Sequence, residues 1–352
     1  MRVAFVSLRT PEHAESGATR RIDRLARQLA GRGHDVTVYC ARWWDGDDAE
    51  HEVDDVSYRA VTGDPTATWR FAALLPFLIA SSQPHLVHAA YTPPLGVLAA
   101  KVGALLARIP LVVDWYGDEP AAGRAGDYAA RWPDVVLTPS RLVRTWVRER
   151  GVPSEAVRVV PDSIDMTEIR NATVRGDADV VYSRRLDEDA GLESLLLGLA
   201  ELRELDWTCE VIGEGPERER YEQQAADLRI DDRVEFVGDL PLQERLSRYR
   251  AAQVFVQTAR RECFARELLW ALASGCVGVV EYQAESSAHE LIEHQDRGLR
   301  TTNDRELTDA IVEAADMEAM DLDEAFEEYD HQAVLKRMLE FYRRLREEHG
   351  LF

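Results

Sequence analysis

Short runs of apolar residues alternate with longer amphipathic stretches along almost the whole chain. Each run has the length of one strand, and the segment between two runs is long enough for a helix that crosses back over a sheet. This order is typical of parallel β-sheets covered by helices. Strands are predicted in the first half at residues 2–7, 35–40, 86–89, 111–115, 135–138 and 157–160, and in the second half at 179–183, 208–213, 234–237, 254–257 and 277–281.

Two such series in one chain predict an α/β protein with two doubly wound, Rossmann-like domains. The length of 352 residues suits two domains of ordinary size. The apolar periodicity breaks between Pro161 and Asp179, so we predict an N-terminal domain at residues 1–165 and a C-terminal domain at 176–330. A last helix, within residues 331–352, is predicted to bury one face. The apolar residues of that face are Leu335, Met338, Leu339, Tyr342 and Leu345.

Acidic residues dominate the charge of the chain. It carries 64 Asp and Glu against 42 Lys and Arg, a formal net charge of −22. Residues 1–165 hold 19 cations and 21 anions, whereas the remainder holds 23 and 43, and only two of the cations are Lys. This pattern suits a protein kept in solution in concentrated salt, so a halophilic archaeal source is our hypothesis and an ordinary acidic cytosolic protein the alternative. A nucleic-acid partner is not expected, because phosphate backbones require a broad basic surface.

No segment predicts export or membrane insertion. The first residues have the pattern of a strand, and no run of about 18 apolar residues occurs. The four Cys are scattered, without the spacing of disulfides or metal ligands. We therefore expect a cytoplasmic protein.

The stretch from Glu262 to Gly275 carries the most specific chemical signal. It follows the strand predicted at residues 254–257 and leads from a loop directly into a helix. A carboxylate and clustered backbone N–H groups would then lie at the positive end of a helix, which suits a polar or anionic ligand.

This stretch resembles the sugar-donor signature of glycosyltransferase family 4, a large group of retaining enzymes with the GT-B fold, in which two Rossmann-like domains face a cleft. In that family a Glu, two Gly and a Phe lead into a helix that bears a second Glu eight residues after the first. Glu262 and Phe264 match this pattern. Cys263 and Ala265 replace the glycines, and Trp270 replaces the second Glu.

The resemblance implies roles for these residues. Glu262 would contact hydroxyls of the transferred sugar, the alternative being an exposed loop residue. Trp270 lies at the position of the Glu that binds the ribose hydroxyls in the family. Because an indole cannot accept a hydrogen bond, Trp270 would either stack on a ring of the donor or belong to the core. A later turn resembles the family's Gly-Gly-x-Pro-Glu turn, with Ser286 and Ser287 in place of the glycines, able to offer hydroxyls to phosphate, and with Glu290 matching.

The start of the C-terminal domain resembles the family element in which an Arg and a Lys hold the donor diphosphate. Arg185 and Leu186 match this element, so Arg185 is expected to bind the diphosphate. Arg184 replaces a Gly, and it either supplies the charge that is lost where Ala190 replaces the Lys or is a surface residue. Gly213 matches a strand turn of the family, mainly a structural one, and is a further candidate donor residue. Val237 and Gly238 match the strand whose end meets the nucleotide base in that family.

In the N-terminal domain the resemblance points to the loops after two strands. Gly17 is kept from a Gly-Gly pair that faces the donor phosphates, the alternative being that it only eases a turn. Tyr116 replaces a His that touches the transferred sugar, and a phenol is not a base near neutral pH. Asp118 lies near two further carboxylates, Asp114 and Glu119. Three carboxylates beside the end of a strand favour a polar, sugar-like ligand.

Four arginines lie on the helix predicted at residues 19–31. They would face an acceptor phosphate or an anionic membrane surface, or they would form a solvated helix face, which is the favoured interpretation. These residues are Arg20, Arg21, Arg24 and Arg27. The resemblance also implies that the last helix, residues 331–352, returns to the N-terminal domain.

We therefore expect a retaining glycosyltransferase that moves a sugar from a nucleotide-diphosphate donor to an unidentified acceptor, which is a glycan, a lipid or a small molecule. Glu262, Tyr116 and Asp118 are its candidate catalytic residues. No metal or other cofactor is expected, because no His cluster has ligand spacing and Asp-x-Asp pairs arise by chance among 64 acids. Peripheral contact with the inner face of the membrane is a further hypothesis, and the oligomeric state is left open.

Two alternatives remain at this point. Ala190 and Trp270 support a catalytically degenerate relative that acts as a binding or scaffold subunit and binds nucleotides weakly. A sugar-nucleotide 2-epimerase would convert its donor without an acceptor.

Overall fold

The computed structural model describes residues 1–119 and 123–350, and the chain divides into two compact units. Unit 1 comprises Met1–Asp162 and the C-terminal segment that begins at Gln332, and unit 2 comprises Ser163–His331. Each unit is built on a parallel sheet with crossover helices, which confirms the predicted α/β class.

Unit 1 alternates strands and helices from its first residues onward. Its strands are β1 (Arg2–Val6), β2 (Asp35–Ala41), β3 (Glu50–Val53), β4 (Val56–Thr62), β5 (Leu86–Ala90), β6 (Leu111–Asp114), β7 (Val135–Thr138) and β8 (Val157–Val159). Its helices in this part are α1 (Gly17–Ala30), α2 (Thr68–Ser82), α3 (Pro94–Ala107), α4 (Gly123–Arg131) and α5 (Arg141–Glu149). The described strands form one sheet in the order β3-β4-β2-β1-β5-β6-β7-β8, parallel except for the β3–β4 pair.

Unit 2 repeats the alternation with shorter elements. Its strands are β9 (Val180–Ser183), β10 (Cys209–Ile212), β11 (Val234–Gly238), β12 (Val254–Gln257), β13 (Arg261–Glu262), β14 (Val277–Glu281), β15 (Glu285–Ser286) and β16 (Gly298–Thr301). Its helices are α6 (Met166–Asn171), α7 (Leu192–Glu201), α8 (Arg218–Asp227), α9 (Leu242–Tyr249), α10 (Arg266–Ala273) and α11 (Asp304–Asp316). The main sheet has the order β11-β10-β9-β12-β14-β16, and β13 pairs separately with β15.

The last helix, α12 (His331–Glu348), buries its apolar face in unit 1. Leu335, Met338 and Tyr342 belong to the same core cluster as Val3 and Phe5 of β1. The five apolar residues that the sequence placed on one face of this helix are all buried. No helix among residues 1–119 and 123–350 is long and apolar enough to cross a membrane.

The apolar runs correctly predict eleven strands, and the misses have one physical cause. The hairpin β3–β4, the two-residue strands β13 and β15 and the strand β16 were not predicted. Glu50–Val53 is an edge strand with two charged residues among four, and neither β4 nor β16 is an unbroken apolar run. Strands that are buried on both faces read as apolar runs, whereas strands that carry several polar or charged residues do not, so a search for apolar runs overlooks strands of the second kind.

Both sheets reverse their strand order at one place, and this places the loops discussed below. In unit 1 the first strand lies between β2 and β5, and in unit 2 β9 lies between β10 and β12. The loops that follow the carboxyl ends of strands at such a point are where open α/β sheets hold ligands.

Candidate active site

In unit 1, the ring of Tyr116 lies directly on Gly17. A Cβ atom added to Gly17 would stand 2.1 Å from Cε1 of Tyr116. Gly17 is therefore required by this ring, and it does more than ease a turn. The tyrosine itself is buried, so the space beside Gly17 that the resemblance assigns to donor phosphates is filled by Tyr116 in this structure.

The start of helix α1 already carries a carboxylate. Oδ2 of Asp118 accepts a hydrogen bond of 2.8 Å from the backbone N–H of Gly17, the first residue of the helix. Ser16 caps the same end through the N–H of Thr19. A negative group at this position is stabilised by the helix dipole. The structure thus brings Gly17, Tyr116 and Asp118 together, as the sequence predicts, with the N–H of Gly17 bound to Asp118 and the ring of Tyr116 packed against Gly17.

Glu119 holds the loop that presents Tyr116. Its carboxylate accepts hydrogen bonds from the N–H groups of Tyr116, at 2.9 Å, and of Gly117, at 2.7 Å. Burial raises the pKa of Glu119 to about 8, and the negative charge of Asp118 adds to this effect. In the sequence this residue is only one of three carboxylates near a strand end, and its role as a backbone anchor was not predicted.

Arg21 is buried beneath this loop. It forms ion pairs with Asp114, at 2.9 Å, and with Asp162, at 3.2 Å, and it donates a hydrogen bond to the carbonyl of Val160. Burial alone would raise the pKa of Asp114, but the positive charge of Arg21 holds it below its ordinary value. The favoured interpretation of a solvated arginine face is therefore wrong for Arg21, which lies one turn before the buried Leu25.

The other three arginines of α1 differ in their exposure and in their ion pairs. Arg20 is exposed, and Arg27 pairs with Asp23 and Asp54. Arg24 is largely buried and pairs with Asp162.

In unit 2, Arg184 and Glu262 meet although they are 78 residues apart in sequence. Nη1 of Arg184 lies 2.9 Å from Oε2 of Glu262 and 2.9 Å from the carbonyl oxygen of Arg261. Its other terminal nitrogen lies 3.4 Å from Asp187. Arg184 follows β9 and Glu262 ends β13, so two strand ends bring together the two halves of the donor motif.

This pair argues against the surface interpretation that the sequence left open for each of its members. The side chain of Arg184 is 14% exposed and that of Glu262 is 24% exposed, so neither is an ordinary surface residue. Two carboxylates already neutralise Arg184, which leaves it little charge for a diphosphate. Burial raises the pKa of Glu262 to about 7, against the opposing charge of Arg184.

Arg185 is the exposed cation of this turn. No carboxylate among the described residues pairs with it. Ala190, which replaces the Lys of the family motif, is fully buried, and its carbonyl accepts a hydrogen bond of 2.6 Å from the hydroxyl of Tyr182. The lost cation is therefore not replaced at that position, and Arg185 remains the exposed cation of the turn.

Two glycines bring the neighbouring strand ends close to this turn. Gly213 adopts a φ of +136°, and a Cβ atom there would stand 2.0 Å from the carbonyl oxygen of Arg184. Its N–H donates to the carbonyl of Gly238, which has a φ of +78°. Val237 precedes Gly238 at the end of β11 and is half-buried. The predicted donor residues Arg184, Gly213, Val237 and Gly238 thus lie along one edge of the sheet.

The two serines hold the signature loop. Ser286 pairs with Glu262 in the β13–β15 ladder, and Ser287 donates its N–H to the carbonyl of Glu262. The hydroxyl of Ser287 donates to the carbonyl of Cys263 at 2.8 Å. Both serines are buried, so their contacts support the loop, whereas the prediction had their hydroxyls bind phosphate. Glu290 follows in the short 3₁₀ turn Ala288–Leu291.

The remaining side chains of the signature point inward. Cys263, Phe264 and Ala265 are buried, so this part of the loop can offer a ligand only its backbone. Trp270 is 1% exposed and lies on α10 beside the buried Leu269. The structure therefore favours the core interpretation of Trp270 over stacking on a donor ring.

One further cation of this region, Arg266, was not predicted. Arg266 is the first residue of α10, and no carboxylate among the described residues pairs with its half-buried side chain. A positive charge at the start of a helix opposes the helix dipole. An Arg in the first turn was the available signal, because acidic residues are the usual choice there. Across residues 1–119 and 123–350, no group of three His, Cys, Asp or Glu side chains could hold a metal ion.

The fold is that of the GT-B glycosyltransferases. A solved structure of the Anabaena protein HepE, in complex with UDP and glucose, is similar with a TM-score of 0.72. The similarity covers 98% of this chain and 100% of that one, at 17% sequence identity.

Family models match almost the whole chain. Residues 16–168 match the model of Glycosyltransferase Family 4, and residues 165–332 match that of Glycosyl transferases group 1. The chain belongs to this family of glycosyltransferases, which confirms the resemblance stated from the signature.

Two characterised relatives share about a quarter of their matched residues with the chain. An alpha-monoglucosyldiacylglycerol synthase of Streptococcus pneumoniae is 26% identical over 230 residues, which cover 59% of this chain and 52% of the relative. A GDP-mannose-dependent alpha-(1-6)-phosphatidylinositol monomannoside mannosyltransferase of Mycolicibacterium smegmatis is 26% identical over 254 residues, or 65% of each. The matches thus span between about half and two thirds of the relatives' lengths.

Proposed function

We propose that this protein transfers a sugar from a nucleotide-diphosphate donor to a lipid acceptor, with retention of the anomeric configuration and without a metal ion. One observation carries the proposal: the ion pair of Arg184 and Glu262 joins the two halves of the donor motif at the carboxyl end of β9, beside the exposed Arg185. The lipid acceptor is proposed because the names of both relatives describe enzymes of lipid glycosylation.

The donor would be held through its diphosphate in unit 2. Arg185 is exposed and has no described partner, and its planar guanidinium suits two phosphate oxygens at once. Unit 2 holds most of the chain's acid excess, so a diphosphate needs a local cation to overcome the surrounding negative field. Arg266, at the start of α10, is a second candidate, because an anion bound there would remove its conflict with the helix dipole.

Glu262 would orient the sugar. Its carboxylate is held by Arg184, so the side chain is positioned before the donor arrives. In the transfer step the bond between the anomeric carbon and the phosphate oxygen breaks, and the acceptor oxygen bonds to that carbon on the same face. The acceptor proton passes to an oxygen of the departing phosphate. Gly17, Tyr116 and Asp118 of unit 1 are proposed for the acceptor side.

The chemistry would rest on position and electrostatics. Arg185 stabilises the negative charge that develops on the departing diphosphate, and this form of stabilisation is the largest single contribution in many transfer reactions. A metal ion is not required if the arginine supplies this charge. Transfer should therefore continue in the presence of EDTA.

A catalytically degenerate relative is the second candidate function. The buried Ala190 and the neutralised Arg184 favour it, because the donor grip then depends on one exposed arginine. Such a protein would bind nucleotides weakly and would transfer no sugar.

Thermal stability of the purified chain in molar KCl, measured with UDP, GDP, ADP and dTDP, tests these candidates. A ligand that binds the folded form raises the melting temperature. We expect a selective rise that is lost in Arg185→Ala and kept in the control Arg203→Ala, at an exposed arginine just after α7. Transfer from the matching sugar nucleotide to dispersed lipids, with and without EDTA, then completes the test. Cooperative melting without any rise would favour the degenerate relative.

A further inference from the structure

Helices α2 and α3 of unit 1 expose a concentrated apolar surface. Six of the fourteen large apolar side chains that are exposed among the described residues lie on these two helices. We name these six residues the α2–α3 face: Trp69, Leu74 and Phe77 on α2, and Val102, Leu105 and Leu106 on α3. Single exposed apolar residues are common on protein surfaces, but a cluster of this size marks an interaction surface.

The α2–α3 face is separate from the packed side of the same helices. On α2, Trp69 and Phe77 are 77% and 70% exposed, whereas Phe71 and Ile79 are fully buried. The helices already touch closely on their inner side, since a Cβ atom on Gly103 would stand 2.9 Å from Cβ of Ile79. Each helix therefore has one filled inner side and a second apolar side that faces outward.

The charge of this segment differs from that of the rest of the chain. Residues 65–113 contain no Asp or Glu, although the chain holds 64 of them. Their cations are Arg70, Lys101 and Arg108. Lys101 forms an ion pair of 2.9 Å with Asp134. Arg70 and Arg108 are exposed, and no carboxylate among the described residues pairs with either of them. The surface is thus apolar with unneutralised positive charge.

We infer that the α2–α3 face docks on the surface of an anionic lipid bilayer. Aromatic and aliphatic side chains enter the boundary between headgroups and acyl chains, while arginines at the same level attract anionic headgroups. Arg70 lies next to Trp69 on the exposed side of α2 and is placed for this contact. The strongly acidic remainder of the chain is repelled by such a surface, so binding is confined to this face.

The charge pattern argues against a second copy of the chain as the partner. In a two-fold symmetric contact the α2–α3 face would meet itself, and the arginines would face the same acid-free surface. A bilayer supplies the missing negative charge. The inference extends the proposed function, because a lipid acceptor lies in such a surface, but it does not depend on the chemistry at Glu262.

Vesicle binding of the whole chain, measured by co-sedimentation without donor or acceptor, tests the inference. We expect binding to phosphatidylglycerol vesicles and much weaker binding to phosphatidylcholine vesicles. The double substitution Leu74→Glu with Phe77→Glu should weaken vesicle binding at least tenfold, because it removes apolar surface that would be buried in the bilayer and adds negative charge. The control Leu205→Glu, at a half-exposed leucine of unit 2, should bind as the wild type does. Equal melting temperatures show that the variants fold.

A second measurement covers the case of a variant that does not fold. Trp69→Phe keeps an aromatic ring at the face, so vesicle binding should persist, while quenching of tryptophan emission by brominated phosphatidylglycerol should decrease. Quenching that is unchanged in this variant would overturn the inference. So would a wild type that does not bind vesicles, a double variant that binds as well as the wild type, or a dimer in solution that the double variant disrupts. A protein that binds nucleotides but not vesicles would overturn this inference and leave the proposed function standing.

Discussion

Replacing Gly17 by Ala should destabilise the protein through one specific collision. The new Cβ atom would stand 2.1 Å from the ring of Tyr116, whereas carbon atoms make contact at about 3.5 Å, so the ring must retreat by roughly 1.4 Å. It cannot move freely, because Glu119 holds the backbone N–H groups of Tyr116 and Gly117. Overpacking of this kind costs about 1–3 kcal/mol of the free energy of unfolding.

The same substitution should cost nothing once the ring is removed. The three atoms nearest to the new Cβ all belong to Tyr116, and helix α1 favours Ala over Gly. In a Tyr116→Ala background, Gly17→Ala should therefore be neutral or slightly stabilising. The coupling between the two sites is then about 1–3 kcal/mol. Denaturant unfolding of the wild type, both single variants and the double variant, at one KCl concentration, measures this cycle.

Gly31→Ala, at the other end of the same helix, is the matched control. Gly31 has a φ of −60°, and its Cβ atom would meet no atom closer than 3.4 Å, so the change should be tolerated. If Gly17→Ala had the same effect in both backgrounds, or no effect in the wild type, the close packing of Tyr116 on Gly17 would be refuted.

Three further predictions concern buried charges and thiols. Arg21→Met should lower the free energy of unfolding by about 3–5 kcal/mol in a denaturant titration, because it leaves buried carboxylates without a partner. The control Arg20→Met, at an exposed site, should change it by less than about 0.5 kcal/mol. Burial raises the pKa of Glu262 to about 7, so a transfer rate that depends on its carboxylate should increase with pH through that value. Arg184→Met removes the positive charge that opposes this rise, so the midpoint of the pH–rate profile should move to higher pH. A midpoint that stays in place would contradict the assignment. The four cysteines are free and buried, so a thiol reagent such as dithionitrobenzoate should react slowly with the native protein and with four thiols after unfolding.

The sequence predicts most strands of each sheet because burial on both faces favours apolar residues along them. The strands β1, β6, β9 and β12 are runs of this kind. The burial of Arg21 could not be predicted in the same way, since its partners Asp114 and Asp162 lie 93 and 141 residues further along the chain. A helical pattern counts an arginine as polar, and only the tertiary structure shows what neutralises it.

The candidate donor site was predictable in its members but not in their contacts. Glu262 was indicated by its match to the motif and Arg184 only as the replacement of a Gly. The ion pair between them depends on the register of β13 and β15 and on the turn after β9. The α2–α3 face, by contrast, had a clear sequence signal. Residues 65–113 lack acids in a chain rich in them, and a local count of charge would have found this segment without a structure.

The position of α12 has a consequence for synthesis on the ribosome. Unit 2 is a continuous segment, so all of its residues can leave the ribosome before the last helix does. Unit 1 begins first, but part of its core is supplied by Leu335, Met338 and Tyr342 of α12, and Tyr342 also bonds to His88 of β5. The half that is made first is therefore completed last. Until then unit 1 has an apolar face without its packing partner, although all of unit 2 has already been synthesised. A chaperone would be needed most in this interval.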